Sequence, residues 1–195
     1  MNKICVYCGS SLGFNKSYAN MAKKLGQYFV ENNIELVYGG SNVGLMGILA
    51  DTVLDGGGKV TGIIPRVLLH KVSHKKLTKM HIVESMHERK SLMFKLSDRF
   101  IALPGGFGTL EELTEMLTWS QIGINTKPCG ILNVDNYYSS LLVFIENMVN
   151  EGFMKREHKD MLIVETNPQL LFSKFETYEA PKTEKWIREN KGEDQ

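Results

Sequence analysis

The chain has 195 residues, 43% of them hydrophobic, and its 23 Lys and Arg side chains nearly balance its 22 Asp and Glu side chains. This length supports one core, so we expect a single domain over residues 1–195 with a polar tail from about residue 183. The charge balance provides no basic surface for nucleic acid or an anionic membrane, and we expect neither partner. No apolar run approaches a membrane span and no leader precedes the first strand pattern, which indicates a cytoplasmic protein.

The three cysteines are an odd number, which argues against a disulfide framework. Cys5 and Cys8 form a Cys-x-x-Cys sequence at the end of a strand pattern. A redox pair needs its first thiol at a helix N-terminus, where the pKa of the thiol falls. We therefore interpret these residues as buried thiols, and with Cys129 as the one remaining cysteine we expect no metal site.

Seven apolar runs of strand length recur along the chain, with helical patterns between most of them. The predicted strands are residues 3–8, 35–38, 59–64, 80–83, 99–103, 128–133 and 162–164. Helical spacing of apolar residues marks 18–29, 45–54 and 110–117. This alternation predicts an α/β fold whose mainly parallel sheet carries helices on both faces. Residues 70–79, rich in Lys and His, are predicted to form a solvated connection that could act as a flap.

Three of the loops that follow predicted strands are rich in small residues: Gly9-Ser10-Ser11, residues 39–44 and residues 103–112. In parallel sheets, ligands bind beyond the carboxyl ends of the strands. Glycines let the backbone approach an anion, and the N-H groups of a following helix supply donors. A tight strand-to-helix turn would explain any one of these loops, but the three together favour a shared anion-binding crevice.

The chain contains neither Gly-x-Gly-x-x-Gly nor Gly-x-x-x-x-Gly-Lys-Ser/Thr, so a mononucleotide or a sugar phosphate fits the crevice better than a dinucleotide or an NTP. Thr109 and Glu112 have the spacing of a capping box, which leaves a structural cap and a catalytic carboxylate as equally open interpretations. Arg89 could bind a phosphate or carboxylate through two parallel hydrogen bonds. The alternative for Arg89 is a surface ion pair with Glu88 or a neighbouring helix.

Four segments resemble those of a known family, and two long motifs among them stand in the order and spacing of that family. The segments are Ser85-Met86-His87-Glu88-Arg89-Lys90, Pro104-Gly105-Gly106-Phe107-Gly108-Thr109-Leu110-Glu111-Glu112, Thr118-Trp119-Ser120-Gln121 and Gly130-Ile131-Leu132-Asn133-Val134-Asp135-Asn136-Tyr137-Tyr138. From Lys3 to about Phe153 the chain resembles the LOG family. These are the cytokinin riboside 5′-monophosphate phosphoribohydrolases, long mislabelled as lysine decarboxylases.

The resemblance implies a Rossmann-like, nucleotide-binding homodimer that needs no metal or other cofactor. Its expected reaction is hydrolysis of the N-glycosidic bond of a nucleoside 5′-monophosphate, AMP or N6-prenylated AMP, to free base and ribose 5-phosphate. The catalytic arginine and glutamate of the family fall on Arg89 and Glu112. A carboxylate suits this reaction, because cleavage of the bond builds positive charge on the sugar.

Further family positions that contact substrate fall on Lys90, Gly105, Gly106, Gly108, Thr109 and Thr118. We add Ser10 and Gly40 from the other two small-residue loops, and Met86 from the motif that contains Arg89. Glu115, one turn after Glu112, either holds a substrate hydroxyl or lies at a solvated edge of the core.

Many relatives carry an acidic residue about eighteen positions before the arginine, where this chain has Lys71. A non-catalytic carrier of a phosphorylated, nucleotide-like ligand such as molybdenum cofactor is the alternative function, because related folds include such carriers. The expected homodimer would use the stretch from Trp119 to Ile124.

Overall fold

Within residues 2–181, which the computed structural model describes, seven parallel strands form one sheet in the order β4-β3-β2-β1-β5-β6-β7. The strands are β1 (Lys3–Tyr7), β2 (Glu35–Tyr38), β3 (Val60–Pro65), β4 (Lys79–Val83), β5 (Arg99–Ala102), β6 (Cys129–Leu132) and β7 (Leu162–Glu165). All seven were predicted to within one residue at each end. The predicted polar tail from about residue 183 lies outside the described residues.

Eight α-helices connect or follow these strands in the same part of the chain. They are α1 (Lys16–Glu31), α2 (Gly44–Asp55), α3 (Arg66–Val72), α4 (Met86–Leu96), α5 (Phe107–Gln121), α6 (Ser139–Asn150), α7 (Arg156–Lys159) and α8 (Pro168–Glu176). Helices α1, α2 and α8 cover one face of the sheet, and α4 and α5 cover the other. The predicted doubly wound, Rossmann-like α/β class is confirmed.

Alternate residues of the central strands enter two different cores, as the pleat of a strand requires. Ile4 and Val6 of β1 pack with α1 and α2, whereas Cys5 and Tyr7 pack with α4 and α5. The interpretation of Cys5 and Cys8 as buried free thiols is confirmed, and burial raises the pKa of both thiols. Because both faces of the sheet are covered, its strands are almost continuously apolar.

The strand order reverses at β1. From β1 the chain adds β2, β3 and β4 on one side, and then returns to the other side of β1 with β5. The loops after β1 and β5 therefore diverge from neighbouring strand ends, and such a divergence opens a crevice. These loops contain Ser10 and the glycine turn at residues 103–106, which places two of the three predicted ligand loops side by side.

The prediction for residues 70–79 was wrong in part, because the segment is anchored rather than merely solvated. Val72 O and His74 N bond the backbone of Asn42 and Gly40, at 2.9 Å each. His74 is buried, and its Nε2 lies 3.0 Å from Asp51 Oδ1. The chain before β4 is thus fixed onto the turn after β2. Within residues 2–181, no helix has the length and apolar character that crossing a bilayer requires.

Candidate active site

A cavity of about 290 Å³ opens where the loops after β1 and β5 diverge. The backbone of residues 9–13 and of residues 104–106 forms most of its wall, and Tyr18, Leu45 and Tyr137 complete it. Three predicted substrate residues, Ser10, Gly105 and Gly106, therefore lie together. Gly105 is packed too closely for a side chain, since a Cβ there would collide with Thr109 and lie 2.9 Å from Gly9 N.

Helix α5 begins directly at this cavity, with Gly106 as its N-cap and without a side-chain cap. Of the two interpretations left open for Thr109 and Glu112, the capping box is wrong, because both residues lie inside the helix. The helix begins earlier because Gly106 is extended (φ −91°, ψ −156°) and its carbonyl already accepts from Leu110 N. The first N-H groups of α5 are consequently left for another acceptor, and the helix dipole makes an anion favourable there.

Arg89 and Glu112 form a buried ion pair beside this helix start. Arg89 Nη1 donates to Glu112 Oε1 at 2.6 Å, and the two side chains are 11% and 10% exposed. Glu112 lies one turn after Thr109, about 4.5 Å further along the helix axis. The alternative of a surface ion pair for Arg89 is wrong, because its partner is a buried carboxylate.

Helix α4 is capped in a way that leaves Arg89 available for Glu112. Ser85 is the N-cap and accepts from Glu88 N at 3.1 Å, while Glu88 Oε2 accepts from Glu84 N at 2.9 Å. The Ser-x-x-Glu pattern from Ser85 to Glu88 therefore caps α4, and the side chain of Glu88 is used in this cap. Arg89, the next residue, points toward α5 instead.

Two backbone features fix the guanidinium of Arg89 in place. Its Nε donates to the carbonyl of Ile63 at 3.2 Å. Gly39, at the end of β2, lies so close that a Cβ at this residue would overlap Arg89 Nη2 and lie 3.4 Å from Met46 Sδ. Gly39 is thus required to leave room for the arginine, a role that the sequence did not indicate beyond the presence of a Gly-Gly pair.

Burial raises the pKa of the Glu112 carboxyl above its usual range, and the charge and hydrogen bond of Arg89 oppose that rise. The two effects act on a buried carboxylate in the helix whose N-cap, Gly106, lines the cavity, and buried acids with a perturbed pKa often mark functional sites. A carboxylate held in a partly dry site interacts more strongly with a developing cation than one in water does.

Lys90 is the second basic residue of the site, and its ammonium group is paired with two glutamates. Its Nζ donates to Glu111 and, at 3.0 Å, to Glu115 Oε1. Burial lowers the pKa of Lys90, but the hydrogen bonds to the two glutamates outweigh that effect and leave it raised. Glu115 Oε2 is buried and has no partner among residues 2–181. Lys90 therefore ties α4 to α5 and leaves one glutamate oxygen available.

The remaining predicted residues lie further apart. Gly40 is buried with a φ of +74°, and a Cβ there would lie 3.2 Å from Ile64 Cβ and 3.3 Å from Met80 Sδ, so the turn after β2 favours glycine at this position. Met86 is 45% exposed at the start of α4.

Thr118 is exposed and donates to Thr114 O at 2.8 Å. It lies six residues after Glu112, about 9 Å along the helix. Gly108 is exposed in the first turn of α5.

Several residues that support the loops around the site were given no role from the sequence. Glu111 was quoted in a motif but given no role, although it bonds Lys90. Tyr137 and Tyr138 were likewise quoted only in a motif, yet each donates a hydrogen bond to the turn after β5. Their position in a family motif was the available signal. In the described part of the chain, no group of three or more His, Cys, Asp or Glu side chains is placed to hold a metal ion.

The fold and the site together define a doubly wound α/β protein with a crevice at its topological switch point, where helix α5 begins without a side-chain cap. The family model described as "Possible lysine decarboxylase" matches residues 46–175. A cytokinin riboside 5′-monophosphate phosphoribohydrolase of Arabidopsis thaliana is 48% identical over 177 residues, which cover 90% of this chain and 82% of that protein. The chain belongs to this family, the LOG family.

Two further proteins show the range of the similarity. A protein of Oryza sativa subsp. japonica, named as a probable enzyme of the same activity, is 49% identical over 90% of this chain and 79% of its own length. Among solved structures, the molybdenum cofactor binding protein of Rippkaea orientalis has a TM-score of 0.68 and 23% identity, and the match covers 90% of this chain and 96% of that chain. The second similarity establishes the fold alone.

Proposed function

We propose that this chain is a phosphoribohydrolase that cleaves cytokinin riboside 5′-monophosphates to the free base and ribose 5-phosphate. The observation that carries the proposal is the buried pair of Arg89 and Glu112 on the helix that begins, without a side-chain cap, at the glycine turn. Glu112 lies six residues after the N-cap Gly106, about 9 Å along the helix axis. Two relatives that are 46% and 48% identical over at least 90% of the chain bear the name of this activity.

In the proposed reaction, the bond between C1′ and the base nitrogen breaks and its electron pair leaves with the base. Glu112, as a carboxylate, stabilises the positive charge that develops on the sugar and accepts a proton from the attacking water. The water oxygen forms the new bond to C1′. The base nitrogen takes a proton from solvent and Glu112 releases its proton to solvent, so that one water is consumed overall. Arg89 holds Glu112 in position and orients the substrate.

The glycine turn is proposed to bind the 5′-phosphate. Gly105, Gly106, Gly108 and Thr109 surround the start of α5, where backbone N-H groups and the helix dipole favour an anion. Ser10 lines the same cavity from the loop after β1. Phosphate binding remote from the bond that breaks would supply positioning energy to the reacting centre.

The other predicted contacts remain proposals. Glu115 would use its unpartnered Oε2 to accept from a sugar hydroxyl. Lys90 would act by holding Glu111 and Glu115. Met86 and Thr118 would contact the substrate only at the outer part of the site. We further propose a homodimer through the end of α5, because Ile122 and Ile124 are 44% and 59% exposed there.

Two alternatives are less consistent with the site. A pyridoxal-phosphate decarboxylase needs a lysine that loses its proton readily, whereas the pKa of Lys90, the buried lysine of this site, is raised by two glutamates. A carrier of molybdenum cofactor would not require the buried Arg89–Glu112 pair, and the similarity to such proteins is one of fold.

Release of free base from a panel of nucleotides tests the proposal. The purified protein is incubated with isopentenyladenosine 5′-monophosphate, AMP and the corresponding nucleosides, and the products are resolved by chromatography. We expect free base and ribose 5-phosphate from the monophosphates, and much slower release from the nucleosides. Absence of base from every monophosphate would exclude the hydrolase, and CO₂ release from lysine with pyridoxal phosphate would support the decarboxylase.

A further inference from the structure

The segment that follows β6 has an unusual backbone. Its single 3₁₀ turn, Val134–Asn136, contains two successive non-glycine residues in the left-handed region, with φ values of 47° at Asp135 and 60° at Asn136. This conformation is less favourable for residues with a Cβ than for glycine, although Asp and Asn adopt it more readily than other residues, and two in succession are held by surrounding contacts. Here Asn15 Nδ2 donates to Asp135 Oδ2 at 2.7 Å, and Tyr138 N donates to Asn133 Oδ1 at 2.8 Å.

The strained turn directs two successive tyrosines onto the glycine turn after β5. Tyr137 Oη donates to Gly105 O at 2.6 Å, and Tyr138 Oη donates to Leu103 O at 2.7 Å. The Tyr137 ring also packs edge-on against Tyr18 and Tyr138, with centroids 5.5 and 4.9 Å apart. Both hydroxyls are therefore held in fixed positions relative to the start of α5.

These contacts complete an asymmetric set of hydrogen bonds along the turn. Every carbonyl from residue 103 to residue 106 accepts a hydrogen bond. The two tyrosines donate to residues 103 and 105, Gly9 N donates to Pro104 O, and Leu110 N donates to Gly106 O. In contrast, the N-H groups of Gly105 and Gly106 have no acceptor among residues 2–181. The carbonyls of the turn are thus occupied by protein donors, while the N-H groups of Gly105 and Gly106 remain free to donate. This arrangement suits an anion.

The two tyrosines differ in what they can orient. In a trans peptide the C=O and the following N-H point in opposite directions. By holding Gly105 O, Tyr137 fixes the N-H of Gly106 on the opposite side of that peptide plane. By holding Leu103 O, Tyr138 fixes a peptide whose nitrogen belongs to Pro104 and carries no hydrogen. Only Tyr137 therefore orients a donor.

We propose that Tyr137 is a positioning residue for phosphate recognition: its hydroxyl holds the Gly105–Gly106 peptide so that Gly106 N-H donates to the 5′-phosphate of the substrate. This proposal rests on the proposed function, in which the glycine turn binds that phosphate. Tyr137 acts through the backbone and does not touch the reacting atoms. The strained turn at Asp135 and Asn136 is the structural means of bringing its hydroxyl to the turn.

Tyr137→Phe tests the proposal, and Tyr138→Phe is the matched control. Each variant removes one hydroxyl from the same turn and keeps the ring. For Tyr137→Phe we expect KM for the monophosphate and Kd for ribose 5-phosphate to rise about tenfold, with kcat within about twofold of wild type. For Tyr138→Phe we expect both constants within about twofold, but a larger loss in Tm, because Tyr138 is 2% exposed and Tyr137 is 42% exposed.

The outcomes separate this proposal from the proposed function. Unchanged KM and Kd in Tyr137→Phe, or an equal rise of these constants in both variants, would overturn the role of Tyr137. The hydrolase itself would still be supported if wild type released free base. If wild type released no base, the Kd for ribose 5-phosphate, measured by calorimetry on wild type and Tyr137→Phe, would still decide the role of Tyr137. If Tyr138→Phe did not fold, the comparison of Tyr137→Phe with wild type would decide it alone.

Discussion

At the level of single residues, the ion pair of Arg89 and Glu112 is expensive to bury. Removing two charges from water costs several kcal/mol per ion, and an apolar pair of similar volume is often as stable. The site nevertheless surrounds the arginine with a carboxylate, the Ile63 carbonyl and a glycine that leaves it room. Contacts that hold a buried ion pair in this way are expected where the charges serve binding or chemistry, because the stability of the fold does not require these charges.

The raised pKa of Glu112 predicts how this residue affects stability as pH changes. Its folded-state pKa is higher than its unfolded value, so its contribution to stability is fully present below about pH 4.3 and is lost as pH rises through the raised pKa. The free energy of unfolding of wild type relative to Glu112→Gln should therefore fall between about pH 4 and about pH 7. Urea unfolding at both pH values measures this difference, and a constant or rising difference would contradict the assignment.

The shape of Arg89 should matter as much as its charge. Its Nε and Nη1 bond two different acceptors, which a single ammonium group cannot reproduce in the same geometry. We expect Arg89→Lys to reduce kcat/KM for the monophosphate about a hundredfold or more. Arg66→Lys is the control, because Arg66 forms a surface ion pair with Glu84, and it should keep nearly full activity. Near-normal turnover by Arg89→Lys would indicate that only the charge is needed.

At the level of elements, strands were predictable because each is a short apolar run between turn residues. Helical spacing of apolar residues marked α1, α2 and α5. Helices α3 and α7 were not predicted, since seven and four residues are too few to show a helical period, and α6 and α8 were not predicted either. The sequence left the role of Thr109 and Glu112 open because Thr-x-x-Glu has the same spacing inside a helix as at its cap. Only the extended backbone at Gly106 distinguishes the two, and a sequence does not contain that angle.

The packing of the glycine turn predicts opposite results for two neighbouring substitutions. A Cβ at Gly105 would collide with Thr109 and press on Gly9 N, whereas a Cβ at Gly106 would meet nothing within 4 Å. Gly105→Ala should therefore lower the free energy of unfolding by about 1–3 kcal/mol, and Gly106→Ala by about 0.5 kcal/mol or less. Thermal or urea unfolding measures both, and equal losses would show that the turn adapts.

At the level of the whole molecule, the sheet order brings the site together from distant parts of the chain. Arg89 follows β4, at one edge of the sheet, and Glu112 follows β5, on the far side of β1. The family motifs supplied both residues, but residue spacing alone did not pair them. The pairing depends on the return of the chain to β1 after β4 and on α4 and α5 sharing one face of the sheet, which local patterns do not specify.

The proposed homodimer makes a prediction at this level. The described surface at the end of α5 exposes Ile122 and Ile124, while Trp119 is partly buried against Phe94, with ring centroids 5.0 Å apart. We expect wild type to sediment as a dimer and Ile124→Asp to shift it toward monomer, because a charge in an apolar contact is unfavourable. Phe153→Asp, at an 87% exposed position after α6, is the control and should leave the dimer intact. A monomeric wild type would refute the proposal.

The measurement that most directly tests the account as a whole is turnover of isopentenyladenosine 5′-monophosphate by Glu112→Gln, with Tm recorded beside wild type. Glutamine keeps the size of the side chain and an acceptor for Arg89 but removes the negative charge. We predict that kcat falls about a hundredfold to a thousandfold or more while the variant remains folded with a cooperative thermal transition. Retention of wild-type kcat by the folded variant would contradict the assignment of Glu112 as the catalytic carboxylate.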